Sequence, residues 1–211
     1  MLYVTDDGKK VYTTNVSSGT ISILVDTLIS PSGNFPPPGN AVPPGNAAPA
    51  NRLPPPGAQP RENWVQTIIP TARGSEGFDV SPDGSELWTA SSEDGTISII
   101  DLGAKKLAAK IDAKVQGANR VMFTIDGSLV FISSLQSGEL TIYDAKSRTE
   151  KKRLKIGNGA AGILMDPNGS RAFVACSADN YIAIIDLKTL EVTGHLDVGG
   201  VPDGLAWAAQ P

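Results

Sequence analysis

The chain has 211 residues, with 18 Lys+Arg against 22 Asp+Glu and a net charge of −4. That length fits one domain, or at most two, and buries enough surface to hold a core without disulfides. A single cysteine, Cys176, excludes an internal disulfide, a Cys-x-x-Cys-His haem attachment and a cysteine-rich zinc site, and the acid excess weighs against nucleic acid as the main partner.

In chain order, Met1–Gly8 has neither a charged leader nor an apolar signal core, and no run of 18 apolar residues follows anywhere, so no membrane span is expected. Leu2–Val4 reads as a short strand. Asp7-Gly8 is a tight turn, where glycine accepts positive φ without penalty. Val11–Asn15 and Thr20–Leu24 are rich in Val, Ile and Thr, which is strand chemistry, and Gly19 turns between them. Asp26 comes one residue later than its counterparts below, which predicts a bulge near Leu24 and Val25. Residues 31–60 hold 11 of the 16 prolines, so positions 30–62 read as a disordered Pro/Gly-rich insertion with polyproline II segments. Trp64–Ile69 then resumes the strand pattern.

The same pattern returns three times. Asp83-Gly84, Asp126-Gly127 and Asn168-Gly169 open the copies, and Gly95, Gly138 and Asn180 follow 11 residues after the first glycine, as Gly19 follows Gly8. Asp101, Asp144 and Asp186 come six residues later, where each can accept hydrogen bonds from the next turn. Gly84 and Gly127 lie 43 residues apart, Gly127 and Gly169 42. Each copy holds four strands, the first before the Asp-Gly turn (Phe78–Val80, Val121–Phe123, Ile163–Met165) and the fourth after the Asp (Leu107–Ile111, Glu150–Ile156, Val192–Val198). Four strands in about 42 residues is the period of a β-propeller blade. The chain therefore divides into blades at 2–69, 76–112, 119–156 and 161–198, with an extra strand at 204–208. Tyr12, Trp88, Phe131 and Phe173 share one blade position and are expected to pack between neighbouring blades.

Val11-Tyr12-Thr13-Thr14-Asn15, Ser81-Pro82-Asp83-Gly84 and Gly95-Thr96-Ile97-Ser98-Ile99-Ile100-Asp101 resemble the repeats of the YVTN family of β-propellers. The resemblance covers the chain except its Pro-rich stretch and implies a bacterial protein of the seven-bladed, WD40-like type, periplasmic or secreted. It says more of fold than of function, because the shared positions are turns and core. Four copies are fewer than such a ring needs, so the expectation is an all-β, incomplete propeller of about four blades plus a terminal strand, a fragment or an arc that self-association completes.

Aligning the innermost strands puts Glu76, Asn119, Ala161 and Asp203 at one position near the axial mouth, preceding Gly77, Arg120, Gly162 and Gly204. Two acids and an amide are oxygen ligands suited to Ca²⁺. They are also similar to the metal ligands of gluconolactonase-type propellers, a resemblance that implies a metal-dependent lactonase. Against this stands the plain reading of a polar rim. His195 falls on an outer strand, away from that mouth. Lys151-Lys152-Arg153-Leu154-Lys155 is a basic run on another, where charge discourages edge pairing. With no catalytic constellation and no cofactor motif, the expected function is a non-catalytic scaffold that binds a protein or small ligand. The alternatives are a calcium-type lactonase or hydrolase using Glu76, Asn119 and Asp203, with Arg120 beside them at the same ligand or metal site, and the propeller part of a larger periplasmic redox protein.

Overall fold

The computed structural model describes residues 1–29 and 61–208. These form sixteen strands in four antiparallel four-stranded sheets, each built in sequence order. Blade one comprises β1 (Leu2–Val4), β2 (Lys10–Asn15), β3 (Thr20–Ile29) and β4 (Arg61–Pro70). Blade two comprises β5 (Ser75–Val80), β6 (Glu86–Ser91), β7 (Thr96–Asp101) and β8 (Lys106–Asp112). Blade three comprises β9 (Ala118–Phe123), β10 (Leu129–Ser134), β11 (Glu139–Asp144) and β12 (Thr149–Lys155). Blade four comprises β13 (Ala160–Met165), β14 (Arg171–Cys176), β15 (Tyr181–Asp186) and β16 (Glu191–Asp197). The fold is all-β and propeller-like, and the four sheets do not close into a ring.

The turn residues act as their chemistry requires. Gly8, Gly84, Gly127 and Gly169 all hold φ between 68° and 71°. At the second turn Gly19, Gly95 and Gly138 are also left-handed, and Asn180 takes that conformation at φ 60°. Asp101, Asp144 and Asp186 cap the third turn, accepting the amides of Ala104, Ser147 and Thr189 at 2.8 Å.

Two expectations are corrected. No bulge occurs near Leu24 and Val25: β2–β3 and β3–β4 pair without a register shift. In blades two to four the third strand stops at its capping Asp, and the ladder to the fourth strand slips one residue (Ile99/Ile100, Ile142/Tyr143, Ile184/Ile185). In blade one β3 runs on past Asp26 to Ile29, so no turn forms there for Asp26 to cap. Residues 204–208 are not a strand either. Among the described residues no second strand lies beside them to form a ladder, although they lie where an inner strand would. The Pro-rich stretch, apart from its flanking ladder residues 61 and 62, lies outside the described residues.

The core is divided among the junctions between blades. Tyr12, Ile21, Ile23 and Ile69 meet Phe78, Leu87 and Ile100 at the first. Trp88, Ile97 and Ile99 meet Val121, Phe123, Val130 and Ile132 at the second. Phe131, Leu140 and Ile142 meet Ile163, Met165, Ala172 and Val174 at the third. Period-2 alternation makes this work: each strand sends one set of side chains to the preceding blade and the other to the following one. Tyr12, Trp88 and Phe131 are buried as expected, and Trp88 meets Phe123 edge-to-face at 6.0 Å. Phe173 meets Trp207 in the same way at 5.6 Å. Trp207 holds the repeat position of Phe123, so residues 202–208 occupy the place of a next blade's inner strand. The Trp207 indole N–H donates to the Met165 carbonyl at 2.7 Å, and Ser177 Oγ donates to the Pro202 carbonyl at 2.6 Å.

Candidate functional site

The inner strands approach one another backbone to backbone, which sets the geometry of the axial mouth. A Cβ on Gly77 would collide with the Asn119 carbonyl, and one on Gly162 with the Asp203 carbonyl. Hydroxyls tie neighbouring blades together at the same level. Thr14 Oγ1 donates to the Glu76 carbonyl at 2.8 Å, and Ser133 Oγ to the Ala161 carbonyl at 2.6 Å. These links fix the inner strands so that Glu76, Arg120 and Asp203 converge from two different strands and the terminal segment.

Arg120 stands where blades two and four and the terminal segment carry Gly77, Gly162 and Gly204, and its guanidinium lies between the two acids. Nη1 is 3.4 Å from Glu76 Oε1, Nη2 is 3.7 Å from Asp203 Oδ1, and Nη1 also donates to the Asn119 carbonyl at 3.2 Å. The cluster is partly exposed, with the side chains of Glu76, Arg120 and Asp203 at 44%, 29% and 59%. Partial exposure keeps such pairs weak in energy, so their effect is to orient one another. Asn119 does not join them: its side chain is buried, and Oδ1 has no hydrogen-bond partner among the described residues. As arranged, the set does not fit a hard cation, because the position between the carboxylates is taken by a fixed positive charge. Among the described residues no group of three or more His, Cys, Asp or Glu side chains is placed to hold a metal ion.

The other candidates lie apart. His195 is on the outer strand β16, 59% exposed, 3.6 Å from Asp197 and beside the Tyr181 ring. Cys176 is fully buried, and burial pushes its thiol pKa up, away from reactivity. Much of the basic run is paired: Arg153 with Glu150 at 2.7 Å and Glu139 at 3.6 Å, and Lys152 with Glu191 at 3.8 Å.

One carboxylate was not singled out in the sequence. Asp79 on β5 accepts the Phe123 amide of the next blade at 2.8 Å and its own neighbour Val80 at 2.9 Å. Desolvation outweighs these two bonds and pushes its pKa up to about 6. The available signal was the repeat itself: Met122 and Leu164 hold the same position, so an acid there is out of pattern.

No family model matches the chain, and no curated protein matches it in sequence. Solved structures do resemble it. Kuenenia stuttgartiensis hydrazine synthase aligns with 26% identity over 62% of this chain and 38% of its own, at a TM-score of 0.59. A functionally unknown protein from Desulfotomaculum acetoxidans aligns over 96% of this chain and 57% of its own, with 14% identity and a TM-score of 0.69. A candidate 6-phosphogluconolactonase from Bacteroides fragilis aligns over 99% and 57%, with 17% identity and a TM-score of 0.69. The shared feature is the fold. The chain spans 38% to 57% of the length of these three structures. Among the described residues no helix is long and apolar enough to cross a membrane.

Proposed function

We propose that the chain is a non-catalytic propeller scaffold that recognises a protein or small ligand at its axial mouth. The observation that carries this reading is the Arg120 guanidinium held between Glu76 and Asp203. A mouth whose acids are already engaged by a cation presents hydrogen-bond donors and acceptors but no free carboxylate pair to bind a metal or activate water. The repeats are of the YVTN type in this reading, supported by Val11–Asn15 and Gly95–Asp101, and a periplasmic or secreted site follows from that resemblance.

A second reading, the metal-dependent lactonase using Glu76, Asn119 and Asp203, is favoured by the unpartnered Asn119 Oδ1 and by the likeness to the candidate 6-phosphogluconolactonase. It requires Arg120 to leave its place between the carboxylates. A third reading, the propeller part of a larger redox protein, is supported by the 26% identity to hydrazine synthase. An assay of sugar-lactone hydrolysis with calcium present separates the first two. The scaffold reading predicts no turnover above buffer. Turnover that is lost in Glu76→Gln would replace it with the lactonase.

A further inference from the structure

The first turn of every blade has the same backbone. Gly8, Gly84, Gly127 and Gly169 each donate their amide to the carbonyl three residues back, on Thr5, Ser81, Thr124 and Asp166, at 2.8 Å. The side chain before each glycine accepts the amide two residues on, at 3.0 Å for Asp7, Asp83 and Asp126 and at 2.9 Å for Asn168. What differs is the chemistry of that side chain. In blades one to three it is a carboxylate that also accepts the hydroxyl of Thr5, Ser81 or Thr124 at 2.6 Å. Those hydroxyls, with the turn amides, hold all three acids below the usual carboxylate range.

Blade four inverts this pair. Asp166 takes the place of the hydroxyl, buried and held by Arg171 at 3.0 Å, and Asn168 takes the place of the acid. An ionised carboxylate repels a nucleophile, whereas a carboxamide carbon accepts one. Asn168 and Gly169 are exposed. Among the described residues the only hydrogen bond of the Asn168 side chain comes from the Ser170 amide to Oδ1, so its NH₂ is free to leave. That amide also polarises the carbonyl and stabilises an oxyanion forming there. Gly169 has no Cβ to shield its nitrogen, and the space around it is open. The other Asn-Gly pair, Asn158–Gly159, is pinned. Asn158 Nδ2 donates to both Asp179 carboxylate oxygens at 3.0 and 3.3 Å, and Oδ1 accepts Lys155 Nζ at 3.4 Å.

We propose that Asn168–Gly169 is a self-modification site, at which the Asn168 carboxamide becomes a carboxylate through a cyclic imide. The turn first opens, releasing the Gly169 amide from the Asp166 carbonyl. The Gly169 nitrogen then bonds to Asn168 Cγ and gives up its proton, the Cγ–Nδ2 bond breaks, and Nδ2 leaves with that proton as ammonia. Water adds to one of the two imide carbonyls. Opening at Cγ gives aspartate, and opening at the main-chain carbon gives isoaspartate. Either product puts a second carboxylate against Asp166, in the one turn of the four whose facing side chain has no hydroxyl to offer it. Isoaspartate also lengthens the backbone of the turn by one methylene.

Ageing the 211-residue chain in mildly alkaline buffer below its melting temperature tests this. Fragmentation of the tryptic peptide 156–171, which carries both Asn-Gly pairs, locates the change. Aspartate and isoaspartate should accumulate at 168. Position 158 should react about tenfold more slowly, because a hydrogen bond to a charged group must break first. Isoaspartate at 7, 83 and 126 should also lag behind 168. The Asn168→Asp variant should melt about 2–4 °C below wild type. Adding Asp166→Ser, which rebuilds the Ser81–Asp83 pair in blade four, should recover most of that loss. Reaction at 158 before 168, or an unchanged 168 when the chain aged in urea is modified there, overturns the proposal. An Asn168→Asp variant as stable as wild type overturns the claim that this turn needs its amide. If the variants unfold, the aged wild type still decides. None of these outcomes bears on lactone turnover, so the axial-mouth reading stands or falls separately.

Discussion

Replacing Asp79 by asparagine isolates an electrostatic cost built into the second junction. In the folded chain the carboxylate is largely desolvated between blades two and three, and its pKa is pushed from 3.8 to about 6. The folded state therefore holds a proton that the unfolded state has already lost between about pH 4 and pH 6. Stability contributed by this group is full below pH 4 and falls as pH rises through 6. The displacement corresponds to about 3 kcal/mol. The asparagine of the Asp79→Asn variant cannot ionise and keeps one carbonyl oxygen for the Phe123 amide, but it leaves the Val80 amide to find another acceptor, which costs about 1 kcal/mol. The variant should therefore be less stable than wild type at pH 4 and more stable at pH 7.5. The difference between the two proteins should change by about 2.5 kcal/mol across that range, because the unfolded carboxyl is already partly ionised at pH 4. Urea unfolding followed by tryptophan fluorescence reads this directly, since Trp88 lies opposite Asp79 in the β5–β6 ladder. Taking the difference removes the contribution of turn acids such as Asp83, which hydrogen bonds from Ser81 and Ser85 hold down at about 2. Parallel pH profiles for the two proteins would refute the reasoning.

Gly77→Ala should destabilise the chain by about 3 kcal/mol or more, because its Cβ meets the Asn119 backbone and the second junction must open. Gly84→Ala, at φ 70° with open space around it, should cost only about 1 kcal/mol, and chemical denaturation of the pair compares them. Ser133→Ala removes a buried donor to the Ala161 carbonyl and should cost about 1–2 kcal/mol in the same assay. Trp207→Ala loses the edge-to-face contact with Phe173 and the bond to Met165. Hydrogen exchange should then show residues 202–208 released while β5–β12 keep their protection.

The repeat was legible because its markers are conformational. Gly8, Gly84, Gly127, Gly169 and Asn180 stand where φ is positive, and few residue types tolerate that. Burial of Tyr12, Trp88 and Phe131 followed from the same alignment. Blade one was misread at β3 because an extra residue before Asp26 looks the same in sequence whether the strand bulges or simply continues. The continuation depends on pairing with β4, which lies beyond the Pro-rich stretch. Residues 204–208 carry a strand pattern, but a ladder needs a neighbour that sequence cannot supply. At the mouth, alignment brought Glu76 and Asp203 to one level. It could not tell that Arg120 would turn its guanidinium between them, or that Asn119 would be buried instead. Both depend on side-chain direction at a junction where one inner strand has Arg in place of Gly. Non-glycine residues with positive φ at the third turns, Lys105, Arg148 and Leu190, also escaped notice, since nothing in their chemistry favours that conformation.

The axial mouth itself is tested most directly by thermal melting with calcium and with chelator, on wild type and on Arg120→Ala. With Arg120 between Glu76 and Asp203, the wild-type midpoint should be the same in both buffers. A ligand at a hundred times its dissociation constant would add about 2.7 kcal/mol and raise the midpoint by several degrees. An unmoved wild-type midpoint, with or without a calcium response in Arg120→Ala, is the result expected of an ion-paired binding mouth. A rise in the wild-type midpoint with calcium, reversed by chelator, would contradict it.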